Sequence, residues 1–257
     1  DDSEGRYEYY HRKENKIEFD LEMFNKITAG GVSNKTLNIA LAGTGVGKSL
    51  FMCHYAASVL LQGKNVLYVT CEMAEEKIAE RIDANLLNTN IKEVADLPKT
   101  VFEKKVNKLR EKTQGKLIIK EYPTASAHVG HFRSLLSELK LKKNFTPDII
   151  FIDYLNICAS SRYRSAVNVN SYNYVKAIAE ELRGLAVEFD VPIFSATQTT
   201  RSGFSSTDPD LTDTSESFGL PATADLMIAL ISSDELEELG QIMVKQLKNR
   251  YNDPTYN

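Results

Sequence analysis

Glycines at 43, 45 and 47, followed at once by Lys48 and Ser49, form a spacing that suits the holding of phosphate groups. The stretch Gly43-Thr44-Gly45-Val46-Gly47-Lys48-Ser49 follows the apolar run Thr36-Leu37-Asn38-Ile39-Ala40-Leu41 and opens Leu50-Phe51-Met52-Cys53. That order reads as a strand, a glycine-rich turn and a helix. The backbone of such a turn can curl until successive N–H groups face an anion, and the helix start adds its positive dipole end. Lys48 would reach the β- and γ-phosphates of a nucleotide, and the Ser49 hydroxyl would ligate Mg2+. Ala42 stands where the usual pattern begins with glycine, and it is small enough for the turn to form. An ordinary Gly-rich turn is the bland alternative, but Gly-Lys-Ser in this context favours nucleotide binding.

Three further stations gain meaning beside that loop. The apolar strand 65–71 ends in Glu72-Met73 and is expected to lie beside the strand of the phosphate loop. A carboxylate at the carboxyl edge of such a sheet could orient and deprotonate a water that attacks the γ-phosphate. An acid favoured by the following helix dipole is the other reading of Glu72. Ile149-Ile150-Phe151-Ile152-Asp153 is an apolar strand closed by an acid, the form of a Walker B element that holds Mg2+, or else an Asp capping the next loop. Val191 to Gln198 is a strand tipped by Thr197 and Gln198, and an amide there could report the γ-phosphate or simply begin a loop.

The elements that must position these groups follow from periodicity. A short amphipathic helix carries Phe19, Leu21, Phe24 and Ile27, and Ala29-Gly30-Gly31 ends it. Helices are expected from the phosphate loop to about 63, then at 75–87, 100–112, 129–141 and 172–189. Strands are expected at 116–122, 148–153, 191–196, 226–231 and 241–247. Strands alternating with helices require an α/β fold with a mostly parallel sheet flanked by helices. Two long polar loops, 159–170 and 199–217, interrupt this alternation, and loops of that length commonly carry function. Residues 1–19 are polar, with Tyr7, Tyr9 and Tyr10 beside His11-Arg12-Lys13, and read as a linker or docking arm.

Composition narrows the partners. A chain of 257 residues can bury one substantial core. Its formal charge of -4 excludes a polyanion-binding surface spread over the whole molecule, so nucleic-acid contact must come from a local strip or from assembly. Cys53, Cys71 and Cys158 lack metal-like spacing and suit a reducing, cytoplasmic setting. No apolar run approaches a membrane span, and the acidic start is no signal peptide. The absence of an initiator Met and the stop at Asn257 read as a fragment of a longer protein.

Taken together these stretches resemble the RecA-like motor domain of hexameric replicative helicases of the DnaB class, and among them the T-even bacteriophage members. The resemblance covers residues 20–257 and rests on Ala-Gly-Thr-Gly-Val-Gly-Lys-Ser, Val-Thr-Cys-Glu-Met, Phe-Ile-Asp-Tyr-Leu, Ser-Ala-Thr-Gln-Thr-Thr-Arg, Ala-Asp-Leu-Met-Ile and Lys-Asn-Arg. Asp153-Tyr154-Leu155 and the Lys-x-Arg at 248–250 favour this class over strand-exchange recombinases.

By that resemblance Glu72 is the general base, Asp153 the Mg2+-associated acid and Gln198 the γ-phosphate sensor. Lys248 and Arg250, otherwise a solvated cation pair, match fingers that reach the nucleotide of a neighbouring subunit. The two polar loops match the family's DNA-binding loops, the first with Arg162 and Arg164, the second with Ser215, Ser217 and Gly219. The class often has Arg where Ser215 stands. The implied ligands are ATP, with GTP as the alternative, and Mg2+. The implied partners are single-stranded DNA, sister subunits of a homo-hexamer, a primase and a helicase loader, with the family's N-terminal collar domain absent. A recombinase-like filament ATPase is the runner-up. A P-loop kinase would need an Arg-rich lid that the chain does not offer, and a nucleotide-binding regulator would make Glu72 dispensable.

Overall fold

A computed structural model describes residues 2–163, 169–198 and 219–252. Among them, seven strands form one sheet: β3 (Leu37–Ala42), β4 (Val66–Thr70), β5 (Leu117–Glu121), β6 (Ile149–Asp153), β7 (Ile193–Gln198), β8 (Leu226–Ile231) and β9 (Met243–Asn249). Their order is β5-β4-β6-β7-β3-β8-β9, with every neighbouring pair parallel except the antiparallel β8 and β9. Strands β1 (Lys16–Ile17) and β2 (Val32–Ser33) pair separately and antiparallel.

The sheet is parallel because helices return the chain after most strands, and covering both faces explains why Leu37–Ala42 and Ile149–Asp153 are buried throughout. Side chains alternate between two cores, as strand geometry demands. Leu67, Val69, Ile150 and Ile152 face α7 (Val129–Lys143) and α8 (Ser171–Glu188), packing with Leu135, Leu139, Leu182 and Leu185. Tyr68, Phe151, Phe194 and Ala196 face α3 (Lys48–Leu61) and α4 (Glu75–Leu87), packing with Tyr55, Ile78 and Ile82.

One expectation is overturned: β4, which leads to Glu72, is not beside the phosphate-loop strand. Strands β6 and β7 lie between β4 and β3. Helix α3, with 14 residues, is about 21 Å long and easily spans three inter-strand steps of about 5 Å. Sequence proximity therefore gave no guide to sheet adjacency.

The amino-terminal segment, read as a linker or docking arm, carries regular structure. Residues Ser3–His11 form a helix, α1, capped by Asp2, whose carboxylate accepts from the Gly5 N–H at 2.8 Å. No residue of α1 is buried, so no apolar period announced it. Ile17 and Phe19 are buried in the main core. The Asn25 amide holds the Phe19 backbone through two 2.8 Å hydrogen bonds, and the helix that follows, α2 (Glu22–Ile27), begins only at Glu22. Strand β7 ends at Gln198, as the reading of a strand tipped by that residue requires, whereas β9 runs on to Asn249, beyond the expected limit of 247, because the extension still finds partners across the sheet. Among the described residues no helix is long and apolar enough to cross a membrane.

Phe194 is fully buried, with its ring centroid 5.6 Å from that of Tyr55, 5.9 Å from Phe51 and 6.1 Å from Phe151. Phe194→Ala is expected to lower stability by about 3–5 kcal/mol in urea denaturation without changing the slope of the transition. A loss below about 1 kcal/mol would show that the aromatic layer can collapse around the cavity.

Candidate active site

The phosphate loop begins where β3 ends. Gly45 and Gly47 have φ of 78° and 117°, a left-handed backbone that side chains rarely adopt. The Val46 N–H donates to the Gly43 carbonyl at 3.3 Å, and α3 begins at Lys48 with no side-chain cap and no acid in its first turn. Its first N–H groups therefore remain available to an anion. Ala42 departs from the motif harmlessly, because it is the last residue of β3, extended and paired with both Gln198 and Leu230.

Helix α3 brings its first residues against the ends of β4 and β6. Lys48 Nζ lies 3.5 Å from Glu72 Oε2 and 4.2 Å from the centroid of the Tyr154 ring. Glu72 projects from a turn tied by Thr70, whose hydroxyl donates to the Met73 carbonyl at 2.8 Å and accepts from the Met73 N–H at 3.0 Å. The Cys71 N–H donates to the Asp153 carbonyl at 2.9 Å, locking the two strand ends together. The Glu72 side chain is 45 % exposed, open to water and to a ligand alike.

Asp153 is fully buried. Tyr68 Oη donates to its Oδ2 at 2.9 Å, while Oδ1, also buried, has no hydrogen-bond partner among the described residues. Burial raises the Asp153 pKa above the ordinary carboxylate range, the Ser49 and Tyr68 hydroxyls and the Lys48 charge pull it down, and Glu72 pushes it further up. An orphaned carboxylate oxygen near a serine hydroxyl is a hard-oxygen donor set, which fits a divalent cation such as Mg2+. Among the described residues no cluster of three or more His, Cys, Asp or Glu offers a second metal site.

Gln198 pairs in register with Ala42, at the entrance of the loop. Its buried neighbour Thr197 donates to Asn156 Oδ1 at 2.7 Å, joining β7 to the turn that follows Asp153. The structure thus brings Lys48, Ser49, Glu72, Asp153 and Gln198 to one sheet edge. It adds Tyr68, Tyr154 and Asn156, which sequence reasoning missed. A Tyr inside an otherwise aliphatic strand was the available signal for the first.

Lys248 and Arg250 do not join this site. Lys248 lies opposite Met227, which is level with Ile39, near the amino edge of the parallel strands. About 10 Å of strand and two inter-strand steps of about 5 Å separate it from Ala42. Lys248 Nζ donates to the Pro221 carbonyl, and Arg250 Nη2 to the Ala222 carbonyl at 2.8 Å. Burial lowers the Lys248 pKa, helped by the Arg250 charge and opposed by Asp225. Arg162 is half exposed and pairs with Glu180 of α8 at 2.5 Å. Gly219 begins the short helix Gly219–Thr223. Arg164, Ser215 and Ser217 lie outside the described residues.

A phosphate loop at the carboxyl edge of a parallel sheet, faced by a strand-end acid, defines a P-loop nucleotide-binding domain of RecA-like α/β architecture. The chain belongs to the DnaB-like helicase C-terminal domain family, whose model matches residues 17–251. It is 50% identical over 256 residues to the DnaB-like replicative helicase of Enterobacteria phage T4, covering 98% of this chain and 54% of that protein. It is 27% identical to a probable plasmid replicative DNA helicase of Chlamydia psittaci, covering 96% of this chain and 55% of that one. The chain spans about half the length of these relatives. In fold it is similar to a DnaB-like replicative helicase solved in a study of its interactions with primase, with TM-score 0.76, 19% identity, and coverage of 96% of this chain and 60% of that one. It is likewise similar to a separately solved ATPase domain, with TM-score 0.74, 19% identity, and coverage of 96% of this chain and 89% of that one.

The orphaned Asp153 oxygen has a measurable consequence. Asp153→Asn removes a buried charge with one unpaired oxygen, so in the absence of divalent cations it is expected to stabilise the chain by about 1 kcal/mol, seen as a higher thermal midpoint. A lower midpoint would mean that the Tyr68 hydrogen bond outweighs the desolvation of the carboxylate.

Proposed function

We propose that this chain is the ATP-hydrolysing motor domain of a replicative DNA helicase, which moves along single-stranded DNA and separates the duplex at a fork. The observation that carries the reading is the convergence of Lys48, Ser49, Glu72, Asp153 and Gln198 on one sheet edge, while Lys248 and Arg250 lie at the other.

Lys48 and the loop N–H groups hold the β- and γ-phosphates of ATP, with GTP the alternative substrate. Ser49 and Asp153 hold Mg2+, which when bound neutralises charge on those phosphates. Glu72, exposed and 3.5 Å from the Lys48 ammonium, is placed to orient a water and take its proton as it attacks the γ-phosphate. Gln198, at the entrance of the loop, hydrogen-bonds the γ-phosphate and registers its loss.

Lys248 and Arg250 are too far from the chain's own loop to serve it. Their placement supports action in trans, on the nucleotide of a neighbouring copy, where a guanidinium stabilises the charge of the transition state. Hydrolysis then requires a ring, a homo-hexamer, in the host cytoplasm if the chain is phage-encoded. The residues before β1 act as a linker or docking arm and the rest of the chain, with Ile17 and Phe19 in its core, as the motor, and a primase and a loader are the further partners. Arg162, Arg164 and the backbone from Ser215 through Ser217 to Gly219 contact DNA phosphates. Because the chain is acidic overall, these few contacts hold DNA only when multiplied around the ring, and they carry no sequence information.

Hydrolysis measured with and without single-stranded DNA, beside a fork-unwinding assay, tests the whole. DNA-stimulated ATPase with unwinding is expected; strand exchange without unwinding would favour a filament ATPase. Glu72→Gln keeps the shape of the side chain and removes its basicity, so nucleotide binding should persist while turnover falls by about two orders of magnitude or more. Loss of binding in proportion to turnover would give Glu72 a structural role instead. Arg162→Ala combined with Arg164→Ala should weaken salt-dependent binding to single strands about tenfold or more and reduce DNA-stimulated hydrolysis. Binding equal to wild type across several salt concentrations would leave the contact to the second loop alone.

A further inference from the structure

Asp225 is an acid with no place in the chemistry described above, yet it sits under the fingers. It is 5 % exposed, just before β8, at the amino edge of the sheet. Its Oδ1 accepts from Arg250 Nη1 at 3.3 Å and from Arg183 Nη2 at 3.3 Å. Its Oδ2 accepts from Arg183 Nε at 3.2 Å and from the Leu37 N–H at 2.9 Å. The Arg250 N–H in turn donates to the Asp225 carbonyl at 2.8 Å. Arg250 Nη2 reaches the Ala222 carbonyl and Lys248 Nζ the Pro221 carbonyl, so the short helix Gly219–Thr223 holds both tips from the other side.

These contacts do three things. A buried carboxylate demands cationic partners, and two guanidiniums supply them. Arg183, donating to both oxygens, fixes the plane of the carboxylate, which leaves Oδ1 aimed at Arg250. The Leu37 bond ties the assembly to the amino end of β3, whose carboxyl end carries the phosphate loop. An arginine that must meet a neighbour's γ-phosphate loses much of its effect when misplaced by about 1 Å, so a fixed base is worth more to it than reach.

We infer that Asp225, oriented by Arg183, is a positioning residue for the trans-acting pair Lys248 and Arg250: it sets the direction of the guanidinium that a chain offers to the next nucleotide site. The inference rests on the trans reading proposed above. It assigns Asp225 to the neighbour's reaction, although the residue is bonded to its own chain's phosphate-loop strand.

Mixtures of variant chains separate the possibilities. Asp225→Asn keeps an acceptor for the Leu37 N–H but loses the charge. Alone it should bind a fluorescent ATP analogue like wild type and hydrolyse ATP about tenfold more slowly or worse. Mixed with Lys48→Ala chains it should regain activity, because its intact phosphate loop then meets a neighbour's intact fingers. Mixed with Arg250→Ala chains it should not, since both lack a competent finger. Arg183→Gln, part-exposed on α8 and therefore tolerated by the fold, should give the same pattern with a loss of about threefold. Failure of Arg250→Ala to complement Lys48→Ala would defeat the trans reading itself. Complementation by Arg250→Ala but not by Asp225→Asn would overturn the positioning role and leave Asp225 serving its own chain. Wild-type hydrolysis by Asp225→Asn, or by Arg183→Gln where Asp225→Asn does not fold, would overturn it as well.

Discussion

The arrangement turns on a carboxylate carried into a dry place. Asp153 ends a strand buried on both faces, and the Tyr68 hydroxyl satisfies one of its oxygens directly. Burial without full pairing is unfavourable to the charged form, and that is what makes the other oxygen a strong donor for a hard cation. The layers around it follow from this need. Tyr68 must lie on the adjacent strand, in contact with α3, and Tyr154 must cover Lys48 from the following turn. The same closeness places Glu72, two residues beyond the end of β4, within ion-pair distance of Lys48.

Sheet polarity then divides the labour. In a parallel sheet all the carboxyl ends lie on one edge, so every acid or amide that ends a strand is delivered to the same crevice. Lys48, Glu72, Asp153 and Gln198 are collected in this way from β3, β4, β6 and β7. Strand β9 runs the other way, so its end carries Lys248 and Arg250 to the opposite edge. A single antiparallel strand thus separates the phosphate-loop groups from the cation pair at 248 and 250, which the trans reading proposed above assigns to a neighbour. Asp225 stands where those two systems share a hydrogen-bonded strand, at the amino end of β3.

The phosphate loop was legible because its demands are local. Gly45 and Gly47 need a left-handed backbone, and Lys48 and Ser49 must open a helix, all within a few residues. The strands were legible because burial on both faces leaves continuous apolar runs, and the main helices because α4 and α8 each bury one stripe of side chains. Helix α1 escaped because it buries nothing, and the short helix Gly219–Thr223 escaped because five residues hold too little period to read.

Sequence by itself therefore determined the classes of chemistry: a loop for phosphates, acids at strand ends and a cation pair at the last strand. Tertiary structure alone decided which of them meet. That β4 lies three strands from β3, that Tyr68 hydrogen-bonds Asp153 across a strand pair, and that Asp225 grips both Arg183 and Arg250 depend on strand order and on contacts between residues 85, 42 and 25 positions apart. Local periodicity records what each segment must bury. It carries no record of which segment will cover it, because burial is satisfied by any apolar neighbour while a hydrogen bond requires one particular partner at one distance.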